Sequence, residues 1–264
     1  MLTYLNDPAL KAAFLAEITK HETEDALIKG TYGVMNGAFK GCAIGCALHS
    51  LNVLQGKVGK ASAIDTNKHA RYEAELGLPT WFAYVEDHLF EHLPDDLART
   101  WPRRLAEAIP VGAVVDDVVL ARILRWTLAD ADFGVRYATD DEECRGYIDG
   151  VIAGFDAELA TGGQASADQR EAAARAARAA RAAARAARAA RAVRAVRAVR
   201  AVRAAWAAWA AWVVWASRDA SRDAWEARDS WAARAAWDVK KALAFFPALS
   251  DYVLDVVRAL PRQP

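Results

Sequence analysis

Residues 191–215 read RAVRAVRAVRAVRAAWAAWAAWVVW, and they are the most regular part of a three-residue repeat that covers residues 175–237. Each unit has two small residues and one large one, which is Arg in the first half and mostly Trp in the second. Ala and Arg are strong helix formers, and no Gly or Pro interrupts residues 168–246. The repeat therefore predicts a long helical extension.

The spacing of the large residues leaves two kinds of helix open. The 21 large residues are separated by about 3.1 residues on average, which is less than the 3.6 residues of an α-helical turn. In an α-helix they would spiral around the axis and need partners on several sides, whereas in a 3₁₀-helix they would form one column. We expect the α-helix, because long 3₁₀-helices are rare.

The chain as a whole predicts an all-α protein. Residues 1–161 are expected to form an acidic globular domain, and residues 162–167, which include two adjacent Gly, a linker. The Ala/Arg/Trp repeat region then covers residues 168–238, and C-terminal amphipathic helices cover residues 239–264.

Apolar spacing, capping residues, Gly and Pro predict the individual elements. We expect Pro102 and Pro247 to interrupt helices, residues 30–41 to form a Gly-rich loop, and residues 134–137 to form a short extended piece. The predicted helices cover residues 8–29, 42–55, 65–76, 81–93, 114–128, 139–159, 239–246 and 249–260, and Asp95 is expected to cap one or two further turns before Pro102.

The net charge of zero hides an uneven distribution along the chain. Residues 1–169 hold 15 basic and 26 acidic side chains, whereas residues 170–203 hold 11 Arg and one Glu. The two parts therefore carry net charges of −11 and +10. Opposite charges favour packing of the repeat region on the acidic domain of its own chain or of another copy.

Three kinds of partner remain open for the repeat region. We favour self-association or packing on the acidic domain, because this would bury the Trp side chains of the repeat and bring its Arg residues next to the opposite charge. Nucleic acid would attract the Arg residues, but they spread around the helix and the chain has no net positive charge. Residues 204–216 are uncharged and rich in Trp, which suits a membrane surface. The side chains expected to make these contacts are Arg194, Arg197, Arg200, Arg203, Trp206, Trp209, Trp212 and Trp215.

The apolar runs and the cysteine count indicate the compartment. No run reaches the roughly 18–20 uncharged apolar residues of a membrane-spanning helix, and residues 1–10 lack the apolar run of a signal peptide. Three Cys, an odd number, argue against a disulfide framework. We therefore expect a cytoplasmic protein with reduced cysteines.

Several short segments of the acidic domain resemble a known group of proteins. They are KGCAIGC at residues 40–46, ELGLP at 75–79, ED at 86–87 and WPRR at 101–104. Over residues 6–157 the chain resembles a group of uncharacterised proteins from bacteria and their phages. The resemblance implies a shared fold and a phage or mobile-element context, and it assigns no active-site residue.

Cys42, Cys46 and His49 are the main candidate metal ligands. Their i, i+4 and i+7 spacing would place them on one face of a helix, and thiolate and imidazole are zinc ligands. A fourth ligand would come from Cys144, His69, His88 or His92.

A packing role for the same residues is the favoured alternative. Free Cys is often buried, and the neighbouring Gly41, Ala43, Gly45 and Ala47 are typical of a helix in close contact with its surroundings. His88 and His92 lie beside acidic residues 86, 87 and 91. We expect these residues to form a solvated helix face, and we favour this over a pair of histidine metal ligands.

Cys42 is also a candidate nucleophile. It follows Gly41 at a predicted helix start, where the helix dipole would lower the thiol pKa, and Asn36 would donate to an oxyanion. This arrangement is similar to papain-type and bacteriocin-processing peptidases. Those families need a His on a following sheet, whereas His88 and His92 lie in a predicted helix.

The sequence therefore favours a non-enzymatic helical interaction or assembly protein without a cofactor, and zinc belongs to the alternative class. The alternative class is a metal protein or a Cys-nucleophile enzyme centred on Cys42, Cys46 and His49.

Overall fold

The computed structural model describes residues 1–36, 38–57, 68–138, 142–162 and 239–263. Helices dominate these residues, so the predicted all-α fold class is confirmed. Residues 163–238, with the end of the predicted linker and the repeat region, lie outside them, and the choice between α and 3₁₀ stays a prediction. Within the described ranges, no helix has both the length and the apolar composition to cross a bilayer.

The chain divides into two compact units. The first consists of Met1–Asp116 and Phe246–Pro264, and the second of Asp117–Phe245. The domain boundary predicted at residues 161–162 falls inside the second unit.

The first unit holds five helices of the described chain before the C-terminal segment, together with a 3₁₀ turn at Thr3–Asn6. The helices are α1 (Pro8–Thr23), α2 (Ala43–Leu54), α3 (Arg71–Leu76), α4 (Thr80–His92) and α5 (Asp95–Ala108). The second unit contains α6 (Asp117–Ala129), a 3₁₀ turn at Val135–Ala138 and α7 (Glu142–Ala160). The final helix is α8 (Val239–Arg258). Its residues up to Phe245 belong to the second unit, and its residues from Phe246 onward belong to the first.

Helix α1 ends six residues earlier than its sequence predicts. Asp7 caps its start, since the side chain accepts a hydrogen bond from the Ala9 N–H at 2.8 Å. After Thr23 the chain turns through Asp25, whose φ is 52°, and then pairs with Gly41. The Ile28 N–H donates to the Gly41 carbonyl and the Gly41 N–H donates to the Ala26 carbonyl, both at 2.9 Å. These hydrogen bonds replace the helical ones that local propensity favours.

The predicted loop at residues 30–41 contains a β-hairpin. Strands β1 (Val34–Asn36) and β2 (Ala38–Lys40) are antiparallel, with Met35 opposite Phe39. The extended piece predicted at residues 134–137 is also wrong, because Tyr137 N–H donates to the Gly134 carbonyl and closes a 3₁₀ turn.

Both prolines expected to interrupt helices lie inside continuous ones, Pro102 in α5 and Pro247 in α8. A proline inside a helix costs about 3 kcal/mol. Trp101 and Leu105 around Pro102, and Leu249 after Pro247, are each at most 1% exposed. Burial of these large apolar side chains, worth about 1.5–3 kcal/mol each, offsets the cost.

The C-terminal part of α8 packs into the core of the first unit, as its amphipathic pattern predicts. Leu249, Val253 and Val257 are fully buried, and Arg104 on α5 forms an ion pair with Asp251 at 3.0 Å. Beyond the helix, Gln263 N–H donates to the Gly112 carbonyl at 2.9 Å. The first unit is therefore closed by residues from the end of the chain.

Replacing Leu249 tests this closure. We expect Leu249→Ala to lower the free energy of unfolding by about 2–5 kcal/mol, because it leaves a cavity in the core. Leu54→Ala, at a position that is 38% exposed, is the control and should cost less than about 1 kcal/mol. Urea denaturation measures both, and equal small losses would show that α8 does not contribute to the core.

Candidate metal centre

The β-hairpin is followed directly by α2, whose N-cap residue is Cys42. Cys42 has φ −67° and ψ 180°, and its Sγ accepts a hydrogen bond from the Gly45 N–H at 3.5 Å. Its own N–H donates to the Thr31 carbonyl at 2.7 Å. Cys42 is therefore extended and lies outside the helix, so it does not follow the i, i+4, i+7 geometry on which the predicted set with Cys46 and His49 depends.

Gly45 fixes how the preceding loop lies against α2. A Cβ atom at this position would overlap the backbone carbonyl of Tyr32. The same carbonyl lies 2.7 Å from the position of a Cβ on Gly41. Only glycine permits this approach, and it is this approach that holds the loop beside Cys42.

Two carboxylates of α4 face the Cys42 thiol. The Sγ of Cys42 and one carboxylate oxygen each of Asp87 and Glu91 all lie within 4.8 Å of one another. Asp87 and Glu91 are four residues apart, so they share one face of the helix. The Gly30 N–H lies 3.0 Å from both oxygens of Glu91 and donates to this carboxylate.

This group is a candidate metal-ligand set. Among the residues that the structure describes, it is the one group of three or more His, Cys, Asp or Glu side chains whose donor atoms converge in this way. Ligand atoms around tetrahedral zinc are about 3.5 Å apart, as follows from Zn–S and Zn–O bonds of about 2.3 and 2.1 Å. The donors of this group lie within 4.8 Å of one another, so a bound ion would draw them closer together.

The electrostatics of Cys42 are opposite to those expected for a nucleophile. Burial, and then the charge of Asp87, raise the pKa of the Cys42 thiol well above its usual range, and only the Gly45 hydrogen bond lowers it. Its side chain is 2% exposed. The lowered thiol pKa predicted from the helix start is therefore wrong, because loss of solvation and a neighbouring carboxylate outweigh the helix dipole.

Glu86 lies behind the cluster in the core and anchors α4. The Tyr72 hydroxyl donates to its Oε2 at 3.0 Å, and the Trp101 Nε1–H donates to its backbone carbonyl at 3.1 Å. Burial raises the pKa of Glu86 to about 8. The prediction that this acidic stretch forms a solvated face is thus wrong for Glu86, which is 6% exposed.

Cys46 has a structural environment. Its Sγ is fully buried and donates to the carbonyls of Gly41, at 3.4 Å, and Ala26, at 3.7 Å. Burial raises its pKa to about 12. These contacts join α2 to the segment that follows α1, which agrees with the packing role predicted for this cysteine.

The histidines predicted as ligands are distributed over three places. His49 contacts His21, with 3.2 Å between its Nδ1 and the Nε2 of His21. His69 stacks on Tyr84 at 4.1 Å. His88 and His92 stack on each other at 4.2 Å. The side chains of Cys144 and Asn36 lie outside the described part of the structure.

Comparison with known proteins adds no assignment. No protein-family model matches the chain, and no match is found among curated proteins or solved structures. The resemblance to the bacterial and phage group stays a prediction, and the function has to be argued from the geometry of the site.

Replacing Gly45 tests the contact that positions Cys42. Gly45→Ala should lower the free energy of unfolding by about 1–3 kcal/mol, because the new methyl group displaces the Tyr32 backbone. Gly146→Ala is the matched control, since nothing lies within 4 Å of a Cβ at this position in α7. Alanine is the better helix former there and should stabilise by up to about 1 kcal/mol. A neutral Gly45→Ala variant in thermal or urea unfolding would contradict the close approach.

Proposed function

We propose that the protein binds a divalent transition-metal cation of the zinc type through Cys42, Asp87 and Glu91. The observation that carries this proposal is the convergence of one thiol and two carboxylates within 4.8 Å. Thiolate and carboxylate oxygen are both zinc ligands, and three protein ligands leave a fourth position for water or a substrate atom.

Charge compensation favours this function over a purely structural one. A thiolate at Cys42 beside Asp87 and Glu91 would place three negative charges in a half-buried region, which is unfavourable without a cation. A bound dication removes that repulsion and replaces the thiol proton, since metal ligands are deprotonated. The metal-free thiol is held protonated, in agreement with its raised pKa.

Three further residues prepare the site without binding the metal. The Gly30 N–H orients Glu91, and such outer hydrogen bonds hold a ligand in place and tune it. Glu86 and Tyr72 fix α4 from the core side. A preorganised carboxylate loses less conformational entropy when the metal binds.

Cobalt is the most direct probe, because thiolate-bound Co²⁺ gives a charge-transfer absorption that carboxylate or imidazole ligands do not give. We expect this absorption in the wild-type protein and in Cys46→Ala, and its loss in Cys42→Ala. Asp87→Asn should weaken Co²⁺ binding at least tenfold, as removal of a charged ligand does, while Asp95→Asn, on the exposed start of α5, should not. Circular dichroism confirms that each variant folds.

The opposite cysteine pattern would contradict the proposal. If Cys46→Ala abolished the thiolate band while Cys42→Ala retained it, the ligand set would be wrong. A wild-type protein without any thiolate band at saturating Co²⁺ would show that the cluster is not a metal site.

A second function, assembly through the repeat region, is favoured by the charge distribution. Residues 1–169 carry a net charge of −11 and residues 170–203 a net charge of +10. We propose that Arg194, Arg197, Arg200 and Arg203 bind the acidic part of another copy of the chain, with Trp206, Trp209, Trp212 and Trp215 supplying apolar contact. Nucleic acid and a membrane surface are the competing partners.

Sedimentation of the full-length chain tests assembly. We expect the wild-type protein to self-associate at low salt and to dissociate as salt screens the charges. Replacing the four Arg residues by Gln should shift it to monomer, whereas Arg258→Gln, at an exposed position of α8, should not. A wild-type protein that remains monomeric at all concentrations would contradict association between copies.

A further inference from the structure

A histidine pair joins α1 to α2 in the first unit, apart from the thiol and carboxylate cluster. His21 lies in the last turn of α1 and His49 on α2, with 3.2 Å between His21 Nε2 and His49 Nδ1. His21 is 6% exposed, and its Nδ1 is buried without a hydrogen-bond partner in the described residues. The two ring nitrogens are within hydrogen-bonding distance of each other, and the proposed function does not use this pair.

Phe39 holds the two rings in a defined orientation. The His49 ring stacks on Phe39 with 4.2 Å between centroids and an interplanar angle of 8°. His21 meets both rings edge-on, at 5.1 Å from His49 and 5.9 Å from Phe39. Two nitrogens bound to one zinc-type ion at about 2.05 Å each lie about 3.3 Å apart. The observed 3.2 Å separation, at which the two rings share a hydrogen bond, is also the separation that two ligands of one ion would have.

The rings are in the protonation state that metals bind. Burial lowers the pKa of His21 to about 4, with a further contribution from His49. Burial also lowers the pKa of His49, an effect that Glu17 opposes and Lys20 reinforces. Both imidazoles are thus neutral near pH 7, and the neutral ring is the ligand form.

Glu17 supplies a carboxylate next to the pair. It lies four residues before His21, so the two share one face of α1, and its charge acts on His49. Its oxygens do not yet converge with both rings, since the described residues contain one close three-donor group and that is the cluster around Cys42. A bound ion would require the Glu17 side chain to move toward the rings, and the resulting set of two imidazoles and one carboxylate would suit a first-row transition metal.

We infer that His21, His49 and Glu17 form a second cation site, selective for first-row divalent metals that prefer imidazole. His49 is half-buried, so one side of the site faces solvent and gives the ion its entry path. The two histidines come from two packed helices, and a bound ion therefore links α1 to α2. This site does not depend on Cys42.

Nickel binding to the untagged full-length Cys42→Ser protein tests the inference, because the first site is disabled in that variant. Isothermal titration with Ni²⁺ alone should show one ion per chain. Adding His49→Gln should weaken binding at least tenfold, and adding Glu17→Gln should weaken it to a smaller extent. His92→Gln is the matched control, since His92 is also half-buried and also contacts a second histidine, and it should leave binding unchanged.

A ring-nitrogen measurement separates metal binding from a structural effect of these variants. In the Cys42→Ser protein, Zn²⁺ should shift the ¹⁵N resonances of His49 Nδ1 and His21 Nε2 and leave those of His92 in place. The inference is overturned if Cys42→Ser binds no Ni²⁺, if His49→Gln binds it as well as its parent, or if Zn²⁺ moves neither ring. The proposed function fails separately, through the cysteine dependence of the Co²⁺ band.

Discussion

The close approach of the Tyr32 backbone to α2 at Gly45 is the contact on which the site depends. Because glycine leaves room for the Tyr32 carbonyl, the loop after α1 lies directly on the first turn of α2. The chain then enters the helix through an extended Cys42, whose N–H is bound by Thr31. The thiol is thereby placed outside the helix and beside the carboxylates of α4.

Burial sets the chemistry of that thiol. A cysteine at a helix start is usually read as activated, yet here loss of solvation and the Asp87 carboxylate both favour the protonated form. A protonated, buried thiol is a poor nucleophile, but it is a competent ligand once a cation displaces its proton. The same residues that argue against covalent catalysis therefore argue for metal binding.

The sequence predicts most helices because their signals are local. The sequence predicts α2 at residues 42–55, and the helix occupies Ala43–Leu54; it predicts α4 at residues 81–93, and the helix occupies Thr80–His92. The errors arise where tertiary contacts override local preference. Hydrogen bonds with Gly41 end α1 early. Burial of Trp101 in α5 and Leu249 in α8 offsets the cost of the proline inside each of these helices.

The candidate site could be predicted only in part. The sequence makes Cys42 one of three candidate metal ligands, but Asp87 is 45 residues further along the chain, and no local pattern connects the two. Asp87 and Glu91 are four residues apart in a predicted helix, but nothing in the sequence shows which face of that helix meets the thiol. Likewise, the i, i+4, i+7 pattern predicts that His49 and Cys42 bind the same metal ion. In the structure Cys42 is the extended N-cap residue of α2, and His49 contacts His21 instead.

X-ray absorption at the zinc edge tests the central claim most directly. His49→Gln protein loaded with one equivalent of Zn²⁺ retains only the thiol and carboxylate site, so its ligand atoms can be counted without the histidine pair. Our account predicts one sulfur at about 2.3 Å and oxygen ligands at about 2.0–2.2 Å. Two sulfur ligands, or none, would contradict the placement of Cys42 with Asp87 and Glu91.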